Sequence, residues 1–111
     1  MLGFIRCYCM YTIEMFQELN NMSNFLLTRH SRFRLNERGL SVQDIVNAIS
    51  DGEIIEEYEN DFPYPSCLIL GKSGEKVLHI CASINDNVIY IITTYVPDPS
   101  RWTDSYRRRK G

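Results

Sequence analysis

At 111 residues, with 44% hydrophobic and 23% charged residues, the chain has the size and composition of one globular domain with one core. Its net charge of −2 excludes the global basic field that marks many nucleic-acid-binding proteins. The charge is segregated, however: residues 51–65 hold six acids and no base, leaving 12 bases against 8 acids elsewhere, a third of those bases in Arg107-Arg108-Arg109-Lys110.

Residues 1–10 are apolar but short, contain Arg6 and lack a small-residue cleavage site, so residues 1–11 read as an N-terminal extension rather than a secretory signal. Met10, Met15 and Met22 leave a downstream start open. Thr12 is placed to cap a helix through Ile13, Met15, Phe16 and Leu19. Phe25 to Thr28 is a brief strand or a link. His30, Arg34 and Arg38 then recur every four residues before Gly39, a good helix stop. On a helix these three side chains share one face, drifting by roughly 40° per step. One imidazole and two cations on one face suit a phosphate or carboxylate. Ser41 caps the next helix, with Asp44 completing a variant capping box, and Val42, Ile45, Val46 and Ile49 form its buried face.

Beyond Gly52 the period becomes that of strands. Residues 54–58 form a first strand, Phe62-Pro63-Tyr64-Pro65 a connection, and 66–70 a second strand. Gly71 to Gly74 is a turn, 76–84 a third strand, Asn85-Asp86-Asn87 a tight turn and 88–95 a fourth. Pro97 and Pro99 break the pattern, and Trp102 packs the tail back on the body. The basic run at 107–110 has the ordinary character of a solvated terminus. The expected architecture is α+β: two or three N-terminal helices on one face of a four-stranded, mainly antiparallel sheet. The expected organisation is an extension (1–11), one domain (12–102) and a basic C-terminal tail (103–111).

In the third strand Leu78, Ile80, Ala82 and Ile84 mark the core face, which leaves His79 on the more open one. With a three-residue turn His79 falls opposite Thr93 and Val77 opposite Tyr95, so His79, Thr93 and Tyr95 share a face. A two-residue turn would set Thr94 beside His79 instead. Cys67 and Cys81 sit in apolar runs as small core residues. Cys7 and Cys9 lack metal-ligand spacing, and no metal or other cofactor is expected. Unpaired thiols and the absence of a signal or membrane span point to the cytoplasm.

The ordered set His30-Ser31-Arg32-Phe33-Arg34-Leu35-Asn36-Glu37-Arg38-Gly39, Gly52 to Tyr58, Pro63 to Leu68, Leu78-His79-Ile80, and Ile92 to Tyr95 through Pro97-Asp98-Pro99-Ser100-Arg101-Trp102 resembles domain-of-unknown-function family 4258 across about residues 12–102. The resemblance implies a fold similar to RelE/MqsR toxins, which cut messenger RNA without metal. It also implies a partner, an antitoxin with a zinc-ribbon domain. Those ribonucleases are basic, whereas this chain is mildly acidic, which argues against strong phosphate neutralisation.

Metal-free RNA cleavage needs a base for the 2′-hydroxyl, an acid for the leaving oxygen and cations for the charged phosphorane. The candidates are His30 and His79 as base and acid, Tyr95 as proton donor or stacking ring, and Arg34, Arg38 and Thr93 as phosphate- or RNA-binding groups. Each has a structural alternative: His30 as a turn partner, the arginines paired to Glu37 or the acidic strand, and His79, Thr93 and Tyr95 as ordinary sheet residues. The competing function is a non-catalytic protein-interaction module on the same fold. The two-histidine mechanism requires His30 and His79 to meet in one cleft.

Overall fold

A computed structural model describes residues 11–111. Cys7 and Cys9 therefore lie outside the described residues, as does most of the extension. Thr12 caps α1 (Ile13–Leu19), its Oγ1 accepting from the Met15 N–H, and Thr28 caps α2 (Arg29–Glu37) by accepting from the Ser31 N–H. α3 (Val42–Ser50) opens with the anticipated box: the Asp44 carboxylate accepts from the Ser41 N–H at 2.9 Å, and Ser41 Oγ accepts from the Asp44 N–H at 3.2 Å.

The strands are β1 (Phe25–Leu27), β2 (Glu53–Tyr58), β3 (Ser66–Ser73), β4 (Lys76–Asn85) and β5 (Val88–Tyr95), in spatial order β1-β5-β4-β3-β2. The sheet thus has five strands rather than four, and the helices are not one N-terminal block, because β1 separates α1 from α2. The three residues of β1 pair in parallel with Ile89–Ile91, and every other pairing in this sheet is antiparallel. So short a strand has no period of its own, and only β5 makes it one.

All three helices cover one face. Phe16, Leu35, Ile45, Ala48 and Ile49 pack there on Cys67, Ile69, Leu78, Ile80, Ala82, Ile89 and Ile91. The closest approach is α3 on β3, where a Cβ added at Gly71 would lie 2.0 Å from the Ala48 carbonyl oxygen. Glycine at 71 therefore sets the distance between helix and sheet.

The opposite face is also buried. β6 (Trp102–Thr103) and β7 (Arg108–Arg109) form a hairpin whose Trp102 and Tyr106 pack with Leu68, Cys81, Ile55 and Tyr58. Residues 102–109 are thus a folded layer over the sheet rather than a solvated terminus, because that second face is too apolar to be left in water.

The β4–β5 register departs from both expectations. The turn has two residues, Asp86 and Asn87, both left-handed at φ 52° and 61°, and Asn85 faces Val88. A bulge at Ile92 then adds one residue to β5, so that His79 faces Tyr95 and Cys81 faces Thr93. The bulge restores the parity that the shorter turn removed, and His79, Thr93 and Tyr95 do share a face.

Gly71→Ala is expected to destabilise the fold by about 3 kcal/mol, since the obstacle is backbone on both sides and no rotamer relieves it. The urea midpoint of unfolding measures this.

Candidate functional site

The site begins with the end of α2. Gly39, at φ 70°, closes the helix: its N–H donates to the Asn36 carbonyl and the Leu40 N–H donates to the Leu35 carbonyl, each at 3.0 Å. Leu35 and Leu40 are both buried in the core, which fixes the turn. Arg38 is thereby held as the C-cap. β1 covers β5 only as far as Ile91, so the later edge of β5 is open, and Arg38 fills it. One guanidinium nitrogen donates to the Thr94 carbonyl at 2.9 Å and to Thr93 Oγ1 at 3.3 Å.

Beyond β5 the chain turns through Pro97, Asp98 and Pro99. The Asp98 carboxylate accepts from the Ser100 N–H and hydroxyl, which hold its pKa below the usual range and fix the turn. Arg101 follows, then the hairpin. Arg38, Arg101, Arg109 and Lys110 line one open cleft of about 760 Å³ together with Tyr95, Val96 and Trp102, and Asp98 and Ser100 complete the rim. Four cations thus line the cleft with one carboxylate, and one of the four, Arg109, is paired with Glu56. Among the described residues Arg101 and Lys110 enter no ion pair.

The hairpin that supplies half of this cleft is held by the charge segregation noted above. Arg107 grips Glu53 with two hydrogen bonds at 2.9 and 2.8 Å. Arg109 bonds Glu56 at 3.0 and 3.1 Å and lies 4.7 Å from the centre of the Trp102 ring. The Arg107 guanidinium keeps the Glu53 carboxyl below its ordinary pKa. These pairs are largely exposed, so each adds little stability, but together they fix the hairpin's register on β2.

Beneath the cleft lies His79, with no exposed surface. Its Nε2 is 2.9 Å from the Tyr106 carbonyl oxygen and its Nδ1 is 3.2 Å from the Tyr95 hydroxyl. A carbonyl only accepts, so Nε2 carries the ring proton, Nδ1 is bare, and the Tyr95 hydroxyl donates to it. Burial holds the imidazole below its ordinary pKa and the Tyr95 hydroxyl above its own. The Trp102 ring packs edge-on against the imidazole at 4.3 Å. Tyr106 accepts at φ 73°, the last of three consecutive left-handed residues after Asp104 and Ser105. Such a backbone is unfavourable for a bulky side chain, and here it aims the Tyr106 carbonyl at His79.

The structure therefore brings together Arg38, Thr93, Tyr95 and, behind Tyr95, His79. It does not bring in His30 or Arg34. Both are exposed on α2, which packs on the helix-covered face, and Arg34 approaches Glu37 at 4.0 Å. His79 projects from the opposite face, so the two histidines share no cleft and acid–base catalysis by the pair is withdrawn. His79 is also not on an open face, because Trp102 and Tyr106 cover it.

Arg101, Arg109 and Lys110 were missed as site residues. The available signal was the turn Pro97-Asp98-Pro99-Ser100 ahead of Arg101-Trp102, together with an acidic strand able to recruit a basic tail. Cys67 and Cys81 are buried free thiols, and burial pushes Cys67 up to about 12, which suits inert core residues. Among the described residues no three His, Cys, Asp or Glu side chains group as metal ligands, and no helix is long and apolar enough to cross a membrane.

The family described as Domain of unknown function (DUF4258) matches residues 27–96, well over half of the chain, and the protein belongs to that family. No curated protein and no solved structure matches the chain.

A histidine that is neutral when folded and titrates near 6.5 when unfolded contributes stability above about pH 6.5 and loses it as pH falls toward its folded value. Wild-type urea midpoints are expected to fall as the pH is lowered from about 6.5. In His79→Gln, which keeps the donor to Tyr106, that slope should flatten. Glu53 and Asp44, whose pKa values are lowered from 4.5 and 3.8, act only at more acid pH.

Proposed function

We propose that this family member is a toxin of a toxin–antitoxin pair, a metal-independent endoribonuclease with a RelE/MqsR-like fold, acting through the cleft between Arg38 and Lys110. The observation that carries the reading is the convergence on one cleft of two aromatic rings and of Arg38, Arg101 and Lys110, three cations in no ion pair among the described residues, beside one carboxylate. That arrangement suits a nucleic-acid backbone. The antiparallel run from β2 to β5 that follows α3 supports this reading of the fold. The overall acidity carries less weight at the cleft itself, because Asp98 is the one acid among its lining residues.

In this reading Arg38 and Arg101 clamp a phosphate and stabilise the charged phosphorane. The Tyr95 hydroxyl directs its proton at His79, so its oxygen presents lone pairs to the cleft. That oxygen takes the ribose 2′-proton as its own proton passes to Nδ1 of His79. The 2′-oxygen bonds to phosphorus, the bond to the 5′-oxygen breaks, and Lys110 returns a proton to the leaving oxygen. The products are a 2′,3′-cyclic phosphate and a 5′-hydroxyl. Silencing requires a partner that covers the cleft, for which an antitoxin with a zinc-ribbon domain is proposed.

One observation favours the non-catalytic module. Among the described residues no imidazole reaches the cleft itself, and His79 must accept a charge where burial opposes it. Labelled single-stranded RNA incubated with the purified protein in EDTA separates the readings. The toxin reading expects cleavage leaving cyclic phosphate ends, growth arrest on expression, and a loss of about 100-fold in rate for Tyr95→Phe with binding retained. Arg101→Ala should weaken binding and lower the slope of log K against log salt by about 0.7. Binding without cleavage selects the module, and no binding at low salt rejects an RNA cleft.

A further inference from the structure

A second cleft lies on the same face, just before the cationic one along β5. It encloses about 650 Å³ and is lined chiefly by Leu26, Phe62, Tyr64, Tyr90 and Ile92, with the Asp61 carboxylate at its rim. The rings of Tyr64 and Tyr90 meet edge-on at 5.9 Å. Phe62 is 94% exposed and makes the most solvent-exposed apolar surface of the described residues. Its loop is stiff. Pro63 and Pro65 restrict the backbone, the Asp61 N–H donates to the Tyr58 carbonyl at 3.2 Å, and the Tyr11 hydroxyl donates to the Pro65 carbonyl at 2.9 Å. A rigid exposed aromatic costs little entropy when something stacks on it.

The two clefts follow one another along one strand. Ile92 lines the apolar one, Tyr95 lines the cationic one, and Arg38 bonds to Thr93 and Thr94 between them. The span from Ile92 to Tyr95 is roughly 10 Å of extended chain. We infer that the apolar cleft is a nucleobase subsite: a single-stranded RNA lies along β5 with one base stacked among Phe62, Tyr64 and Tyr90 and its neighbouring phosphates on Arg38 and the cationic cleft.

This rests on the RNA reading proposed above and adds the strandedness of the substrate. Duplex bases are already stacked on one another and offer no free face to Phe62.

Fluorescence anisotropy with three probes tests the inference: a single-stranded RNA, an abasic oligonucleotide of equal length and the corresponding duplex. The wild type should bind the single strand about tenfold more tightly than either of the others. Phe62→Ala, at a position too exposed to endanger the fold, should weaken the single strand about tenfold and leave the abasic probe unchanged. Tyr90→Leu should act in the same direction, while Arg101→Ala weakens all three. Equal affinity of Phe62→Ala and wild type for the single strand overturns the base subsite and leaves the phosphate cleft standing. So does equal weakening of the single-stranded and abasic probes. Loss of a protein partner in Phe62→Ala with RNA affinity intact assigns the cleft to that partner and also overturns it. Failure of the wild type to bind any of the three overturns the RNA reading itself.

Discussion

The five-stranded sheet is apolar on both faces, and its helices shield only one of them. Leu68, Cys81, Tyr58 and the bulged Ile55 face the other way, and His79 stands among them. Water on that face would leave a continuous apolar surface exposed. Residues 102–109 meet the constraint with Trp102 and Tyr106. The rest follows from that covering layer. His79 becomes a buried neutral imidazole because Tyr106 caps it, Tyr95 becomes an acceptor toward solvent because its own proton points at His79, and the hairpin's basic residues become the wall of a cleft.

Charge segregation along the chain is resolved in space. The acidic stretch and the basic run are 54 residues apart at Glu53 and Arg107, yet they pair across the edge of the sheet. This leaves Arg101 and Lys110 outside any ion pair among the described residues, on the side of the hairpin turned toward Arg38. A net charge near zero thus conceals a local field, because Asp98 is the one acid among the residues that line the cleft.

The parts legible in the sequence were those set by local chemistry. Thr12, Ser41 and Asp44 cap as their side chains dictate, Gly39 ends α2, and the alternation in β4 separates Leu78 and Ile80 from His79 and Cys81. What escaped depends on partners distant in the chain. Phe25–Leu27 is a strand only because β5 offers an edge, and the Ile92 bulge is invisible to a count that assumes even pairing. The exposure of His79 was misjudged for the same reason: its cover is supplied from Tyr106, 27 residues later. The face of His30, Arg34 and Arg38 is real as spacing, but only Arg38, at the helix end, extends past the edge of the sheet to the other side.

The left-handed run Asp104-Ser105-Tyr106 bears on how the molecule is made. Its contacts join segments far apart in sequence, so the hairpin has nothing to close on until β2, β3 and β4 are assembled. Without the hairpin the imidazole of His79 would face water, and the cationic wall would be missing. The helices and sheet are thus a frame complete without the hairpin, whereas the cleft is built only when the hairpin docks on it.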